Sequence, residues 1–225
     1  MAFACGITIL LLKLRNRRRD KDLEPWYLAV RAVADAPSVS RRDLPCEILP
    51  HLLYGDKGSA LDTFLLQALG VTHILNVAGP AGNQTLLADY PHFGIKYLQL
   101  DGQDEEDYNM VSLHHNEASE FIREAREVEG KCLVHCVAGI NRSGVLVAAE
   151  LMIYKRLPVI EAVKRCKAAR GTFLLNEGFQ RQLVQLAHQE GLLGPKPSKS
   201  QTDLPPRRRR GANKAAKNAF MSRIS

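Results

Sequence analysis

The sequence predicts an α/β fold with a central, mostly parallel sheet flanked by helices. Two observations predict this fold. The 225 residues are 45% hydrophobic and 24% charged, an ordinary globular composition that provides for one sizeable core. Short strand-like apolar runs also alternate with longer helix-like runs, and strands that alternate with helices favour parallel pairing.

Each element is predicted from the spacing of its apolar residues. Four short runs are typical of strands: Ile48–Leu53, Thr72–Val77, Lys96–Leu100 and Lys131–His135. Five longer runs are typical of helices: Ala60–Leu69, Val111–Glu129, Arg142–Lys155, Pro158–Ala169 and Glu177–Glu190. No internal repeat is visible, so these elements predict a single domain.

The charge is distributed unevenly along the chain. Residues 1–44 carry a net charge of +4 and residues 194–225 a net charge of +8. Because the whole chain carries +7, residues 45–193 are left with −5. We therefore expect an N-terminal extension over 1–44, a folded domain over 45–193 and a basic tail over 194–225. Both ends are expected to be poorly ordered.

The number and spacing of the cysteines indicate the redox state of the compartment. There are five of them, an odd number, and they lack the spacing of metal ligands: Cys5, Cys46, Cys132, Cys136 and Cys166. A disulfide framework is therefore not expected, and a reducing cytosolic or nuclear compartment fits better. Cys132 and Cys166 are interpreted as small core residues, with a redox partnership to Cys136 as the alternative.

The N-terminal extension begins with a short apolar run. Ala2–Leu12 is too short to span a bilayer, and its basic residues follow the apolar stretch where a secretory signal would have them first. Two interpretations remain open for this segment. It is either a peripheral membrane anchor, aided by an acylated Cys5 and the basic cluster, or a loosely packed extension.

The C-terminal tail contains four consecutive arginines, Arg207–Arg210. Such a run serves as a nuclear-import signal, a nucleic-acid contact or an acidic-lipid contact, or it is simply a solvated basic tail. The sequence favours none of these four interpretations.

One segment, between a predicted strand and a predicted helix, has the composition of an oxyanion-binding loop. A loop at this place presents several backbone N–H groups, and the helix dipole adds partial positive charge. Gly139 permits a turn that a side chain would obstruct, and Arg142 supplies a bidentate fork for two phosphate oxygens. The residues expected to bind the phosphate are Val137, Ala138, Gly139, Ile140, Asn141 and Arg142.

Cys136, at the start of this loop, is the candidate nucleophile. The positive field of the loop favours the reactive thiolate, which is placed for in-line attack on a bound phosphate. Ser143 is expected to donate a hydrogen bond to Cys136 and ease its departure when water cleaves the phosphocysteine. His135 is expected to orient the loop through its backbone.

Residues 135–143 read His-Cys-x-x-Gly-x-x-Arg-Ser, which resembles the signature of the cysteine-dependent protein tyrosine phosphatase superfamily. The flanks resemble its small, atypical dual-specificity branch. Glu47–Gly55 is similar to the opening strand of that branch, Gly70–Ala78 to its next strand and Asn176–Leu183 to its closing helix. The resemblance covers residues 45–193 and implies the protein tyrosine phosphatase-like fold for this catalytic domain.

The resemblance also implies a general acid on a loop after a strand. Counting six positions from Leu98, as in the family, gives Asp104, which lies in the acidic stretch 101–107. A carboxylic acid there protonates the leaving oxygen and then activates water as a base. The segment after Asp104 is one residue longer than in close relatives, so Asp101 and Asp107 remain alternatives.

The domain is too compact for the pocket-deepening insertion of the longer family members, so the resemblance implies a shallow pocket that admits phosphotyrosine, phosphoserine and phosphothreonine on protein substrates. Lipid phosphatases of the superfamily commonly carry basic residues in the loop, and the variable positions here hold none, which argues against phosphoinositides. Asn141–Gly144 is similar to the loop ending of RNA 5′-phosphatases, and the basic tails would suit RNA, although Ala138 stands where those enzymes carry histidine. A catalytically silent phosphate-binding scaffold is the third hypothesis.

The predicted mechanism requires no metal and no organic cofactor, because Arg142 and the loop dipoles supply the positive charge. Phosphorylated proteins are the expected partners, with nucleic acid as the alternative and membrane association through the N-terminus as an addition. The expected location is cytoplasmic or nuclear. The sequence predicts no oligomeric state.

Overall fold

A computed structural model describes residues 21–37, 44–82 and 90–202. The strands are β1 (Cys46–Leu49), β2 (Leu52–Gly55), β3 (Val71–Asn76), β4 (Lys96–Gln99) and β5 (Lys131–His135). The helices are α1 (residues 21–35), α2 (Lys57–Leu61), α3 (Thr63–Ala68), α4 (Met110–Glu127), α5 (Arg142–Tyr154), α6 (Val159–Arg170), α7 (Glu177–Gln189) and α8 (Lys199–Thr202). Two short 3₁₀ turns cover Gly79–Gly82 and Tyr90–Phe93.

The five strands form one sheet in the order β1-β2-β5-β3-β4. Strands β2, β5, β3 and β4 are parallel, and only the edge strand β1 runs antiparallel to its neighbour. The predicted α/β architecture with a mostly parallel sheet is therefore confirmed. Because parallel strands end at the same edge, Gly55, His135 and Asn76 lie side by side at the carboxyl edge of the sheet.

The prediction of one strand over Ile48–Leu53 is wrong. The chain turns at Pro50 and His51, and the two halves pair antiparallel as β1 and β2. Proline cannot donate a hydrogen bond to a sheet, which is why it interrupts the apolar run. The turn gives the sheet its antiparallel edge strand.

The predicted helix Ala60–Leu69 is in fact two helices, α2 and α3, separated at Asp62. The backbone of Asp62 has φ −87° and ψ 83°, outside the helical region, and its carboxylate accepts a hydrogen bond from Leu65 N at 2.9 Å. This is an N-cap interaction, so the aspartate ends one helix and begins the next.

The two faces of the sheet contribute to two hydrophobic cores. Alternate residues of a strand point to opposite faces. On β5, Cys132 and Val134 face a large core that includes residues of α4 to α7, whereas Leu133 faces a smaller core with residues of α2 and α3. Helix α5 is buried on nearly all sides, since it lies between the sheet and the neighbouring helices.

Helix α1 was not predicted. It lies in the N-terminal extension that the sequence suggested is poorly ordered, yet its Leu23 and Val30 are buried in the large core. Helix α8 likewise falls within the predicted tail. The apolar run Ala2–Leu12 and the arginines Arg207–Arg210 lie outside the described residues. Among the helices of the described part, none has the length and apolar character needed to cross a membrane.

Candidate active site

The predicted phosphate-binding residues 137–142 lie in the phosphate-binding loop, residues 136–141, which connects the carboxyl end of β5 to the N-terminus of α5, and in the first residue of that helix. Asn141 is the N-cap residue of α5, but its side chain makes no capping hydrogen bond to that helix. The first-turn N–H groups are therefore not occupied by this side chain, and the positive end of the helix dipole faces the loop. This combination is suited to an oxyanion.

Cys136 lies at the bottom of the loop, and its side chain is buried, with 1% exposure. The hydroxyl of Ser143, the second residue of α5 and also buried, donates a hydrogen bond to Cys136 Sγ at 3.1 Å. A hydroxyl donor at this distance stabilises negative charge on sulfur. Sequence reasoning placed these two side chains together, and the geometry brings them into direct contact.

Two buried side chains hold the loop from behind, and sequence reasoning missed both. The Tyr54 hydroxyl lies 2.9 Å from Gly139 O and 3.1 Å from Ile140 O. Arg170 donates from Nε to Gly139 O at 2.9 Å and from a terminal nitrogen to Ala138 O at 3.2 Å. In a trans peptide the N–H points away from the C=O. Binding these carbonyls on one side therefore turns the loop N–H groups to the other side.

Gly139 is required where the loop approaches β2. Its φ is +57°, and a Cβ there would lie 2.6 Å from Gly55 O. Only glycine adopts this conformation without strain and permits such close backbone contact. The signature glycine therefore fixes the turn against the end of β2.

His135 is fully buried at the base of the loop. Its Nδ1 lies 3.3 Å from Cys136 O, and because a carbonyl only accepts, Nδ1 carries the proton. Burial lowers the pKa of His135 to about 4. The ring is therefore neutral at physiological pH, and it contacts the backbone at the start of the loop.

Arg142 lies at the first position of α5. One terminal nitrogen donates to Gly102 O at 3.3 Å, which ties the phosphate-binding loop to the segment after β4. Its Nε is buried without a hydrogen-bond partner among the described residues. A buried donor without a partner is costly, so this guanidinium has binding capacity for an anion at the loop.

The segment 101–109, hereafter the acid loop, brings Asp104 to the phosphate-binding loop. Asn141 Nδ2 donates to both oxygens of Asp104, at 3.1 and 3.2 Å, and Asn176 Nδ2 donates to Oδ1 at 3.1 Å. Asp101, one of the alternatives, instead accepts a hydrogen bond from Gln99 at 3.3 Å. Asp107, the other alternative, is solvent exposed, as is Asp104, so the distinction rests on the contact between Asp104 and Asn141. The geometry thus favours Asp104 as the carboxylate at this site.

Asn176 is a further residue to which the sequence analysis gave no role. It is the N-cap of α7, and its Oδ1 accepts from Phe179 N at 3.1 Å. The backbone N–H groups of Leu175 and Asn176 donate to Asn141 Oδ1 at 2.8 and 3.1 Å. Asparagine before a helical run is a recognisable N-cap signal, but its contact with Asp104 is not visible in the sequence.

Over the described part of the chain, no group of three or more His, Cys, Asp or Glu side chains is arranged to hold a metal ion. The candidate site is thus built from a cysteine, an arginine, a carboxylate and backbone amides. This set of groups is suited to nucleophilic transfer of a phosphoryl group.

Comparison with known proteins agrees with this site. The family model for the dual specificity phosphatase catalytic domain matches residues 52–189. The chain therefore belongs to the dual specificity phosphatase family. Dual specificity protein phosphatase 26 of Homo sapiens and that of Bos taurus are each 40% identical to the chain over 141 residues, which is 62% of this chain. The match spans 65% of the length of these curated relatives.

Solved structures give the same family. A crystal structure of DUSP15 is 28% identical, with a TM-score of 0.55, covering 67% of this chain and 97% of that one. The structure of human tyrosine phosphatase-like serine/threonine/tyrosine-interacting protein is 29% identical, with a TM-score of 0.59, covering 64% of this chain and 95% of that one. The predicted protein tyrosine phosphatase-like fold is therefore confirmed.

Proposed function

We propose that the protein is a phosphoprotein phosphatase that hydrolyses phosphotyrosine and phosphoserine or phosphothreonine esters through a phosphocysteine intermediate. The arrangement of one loop carries this proposal. Cys136 Sγ accepts a hydrogen bond from Ser143 at the bottom of the loop, and Tyr54 and Arg170 bind the loop carbonyls on the side opposite to the one where a phosphate would bind. Family membership supports the same chemistry.

In the first step, Cys136 Sγ attacks phosphorus, forming the S–P bond while the bond to the leaving oxygen breaks. Arg142 and the loop N–H groups stabilise the charge on the three non-bridging oxygens. Asp104 in its acid form gives its proton to the leaving oxygen, so the protein alcohol or phenol departs neutral.

In the second step, water attacks the phosphocysteine. Asp104, now a carboxylate, accepts a proton from the water, and the S–P bond breaks to release inorganic phosphate. The thiolate that departs is stabilised by the hydrogen bond from Ser143, 3.1 Å from Sγ. These two steps return every group to its starting state.

Phosphorylated proteins are the proposed substrates. None of the side chains between Cys136 and Arg142 is basic, so the loop lacks the additional cations that a polyphosphorylated headgroup would engage. The proposed locations are the cytoplasm and the nucleus, with peripheral membrane attachment through the N-terminus. RNA 5′-phosphatase activity and a silent scaffold are not favoured by the family comparison.

The test is hydrolysis of 4-nitrophenyl phosphate and of phosphopeptides by the full chain, without added metal. Cys136→Ser is expected to reduce turnover by about 10⁴-fold or more, because it removes the nucleophile of a covalent mechanism. The variant should still bind vanadate, since the loop N–H groups and Arg142 are retained.

Two results would contradict the proposal. A folded wild-type protein that binds vanadate but turns over neither substrate would be a phosphate-binding scaffold. Faster release of phosphate from RNA 5′-triphosphate ends than from phosphopeptides would change the substrate class to RNA.

A further inference from the structure

Helix α1, which lies outside the family match over residues 52–189, is attached to the first turn of α7. Arg31 of α1 lies 3.3 Å from Glu177 Oε1, and the hydroxyl of Tyr27 donates to Glu177 Oε2 at 2.9 Å. The Arg31 side chain is only 10% exposed and that of Glu177 27%. Both oxygens of this carboxylate are therefore fixed by α1 in a partly buried contact.

The same turn of α7 holds the acid loop. Asn176, the residue before Glu177, donates a hydrogen bond to Asp104 at 3.1 Å. Gly178 lies directly against the acid-loop backbone, since a Cβ there would overlap the carbonyl of Glu106. Residues 176–178 thus contact α1 on one side and the acid loop on the other.

The phosphate-binding loop depends less on this turn. It too receives hydrogen bonds here, from Leu175 N and Asn176 N to Asn141. However, Tyr54 and Arg170 hold its carbonyls independently of α7. Asp104 is bound by both Asn176 and Asn141, and the Asn141 amide is itself oriented by this turn. A small displacement of the turn would therefore reach Asp104 by both routes, whereas the loop carbonyls stay bound by Tyr54 and Arg170.

We propose that Arg31 is a positioning residue for the general acid, acting through Glu177 and Asn176 on Asp104. This inference rests on the proposed function, because it assigns α1 a part in the protonation of the leaving group. It extends the active-site machinery to a helix beyond the family domain. A displacement of about 1 Å at a reacting group is enough to reduce the rate by up to about 100-fold.

The dependence on the leaving group distinguishes this role from simple stabilisation. A substrate with a weakly basic leaving oxygen, such as 4-nitrophenyl phosphate, needs little help from a general acid, whereas phenyl phosphate and phosphotyrosine need it. With full-length Arg31→Met, kcat/KM for phenyl phosphate, which reports the steps up to departure of the leaving group, is expected to fall about 10-fold, and kcat/KM for 4-nitrophenyl phosphate less than about 2-fold. Arg31→Lys should restore most of the difference.

Glu24→Gln is the matched control. It breaks another ion pair between α1 and α7, Glu24 with Arg181 at 3.4 Å, but that pair is exposed and its loss leaves Arg31 and Tyr27 in place on Glu177. This variant is expected to keep the wild-type ratio of the two kcat/KM values. Equal ratios in Arg31→Met, Glu24→Gln and wild type would overturn the inference.

Amide hydrogen exchange provides a readout that does not need turnover. Exchange in the acid loop, residues 101–109, is expected to be faster in Arg31→Met than in Glu24→Gln, with exchange in β5 unchanged. Unchanged acid-loop exchange would overturn the positioning role even if the protein is active. If the wild-type protein has no turnover but the two variants still differ in acid-loop exchange, the proposed function is refuted and the structural coupling between α1 and the acid loop stands.

Discussion

The phosphate-binding loop and the acid loop are neighbours, but they are held in different ways. Backbone carbonyls of the first are bound by Tyr54 and Arg170, which are buried. The carboxylate of Asp104 in the second is exposed and is held by two side-chain amides. The difference matches their proposed tasks. An oxyanion site works by being preorganised, whereas a general acid must reach the leaving group and exchange protons with water.

The largest expected effect that would test this comparison is in the acid loop. Asp104→Asn should lower kcat/KM for phenyl phosphate by about 10²–10⁴-fold, because no proton reaches the leaving oxygen. The loss for 4-nitrophenyl phosphate should be much smaller. The free energy of unfolding should change by less than about 1 kcal/mol, since the carboxylate is exposed. Steady-state kinetics and urea denaturation measure the two quantities.

Asp101→Asn and Asp107→Asn are the matched controls, since both remove a carboxylate from the same acidic stretch, 101–107. Each should retain most of the activity on phenyl phosphate. If either variant loses more activity than Asp104→Asn, the acid has been assigned to the wrong carboxylate.

The next largest effect concerns the support of the phosphate-binding loop. Arg170→Met removes a buried hydrogen bond to Gly139 O and a partly buried one to Ala138 O, and leaves those carbonyls without their charged donor. We expect the free energy of unfolding to fall by about 2–4 kcal/mol. In contrast to Asp104→Asn, activity should fall for both aryl phosphates to a similar extent, because the loop binds the phosphate of each. Denaturation midpoints and the ratio of kcat/KM values check this.

Arg165→Met on the same helix is the control for Arg170→Met. Arg165 forms an exposed pair with Glu161 at 3.1 Å, and such i,i+4 pairs contribute only about 0.3–0.5 kcal/mol. A loss of stability as large in Arg165→Met as in Arg170→Met would show that the hydrogen bonds to the loop are not the cause.

Sequence reasoning placed Cys136, Arg142 and Ser143 together, but of the residues that support the phosphate-binding loop it named only His135. Cys136, Arg142 and Ser143 lie within eight consecutive residues, so the spacing itself carries the chemistry. Tyr54 lies 85 residues before Gly139 in the chain, and Arg170 lies 31 residues after it. Only the pairing of β2 with β5 and the packing of α6 bring them to the loop, and these contacts are not local in sequence.

The elements of the fold also differ in whether the local sequence predicts them. The spacing of apolar residues predicted the parallel strands and the long helices α4 to α7, because that spacing lies within each element. The turn within Ile48–Leu53 and the break at Asp62 were missed, since short apolar runs hide such interruptions. Helix α1 was missed because the basic residues of the N-terminal extension led to the prediction of a poorly ordered segment. The burial of Val30 depends on contacts with the rest of the core, which the local sequence does not reveal.

The third effect, smaller than the first two, is a pH dependence of stability at the base of the phosphate-binding loop. Burial lowers the pKa of His135 to about 4, whereas an unfolded histidine titrates near ~6.5. Between these values the unfolded chain binds the additional proton. Stability is therefore full above about pH 6.5 and is lost as the pH falls towards 4, by about 2–3 kcal/mol from this residue.

Burial also lowers the pKa of other histidines, which add to the slope in the same direction: His51, His73, His114 and His115. The contribution of His135 must therefore be isolated with His135→Asn, whose amide does not titrate. This variant should lose part of the decline in unfolding free energy between pH 7 and 4, measured by urea denaturation. If His135→Asn and wild type decline equally, folding does not change the protonation of His135, and the buried neutral imidazole at the base of the loop is wrong.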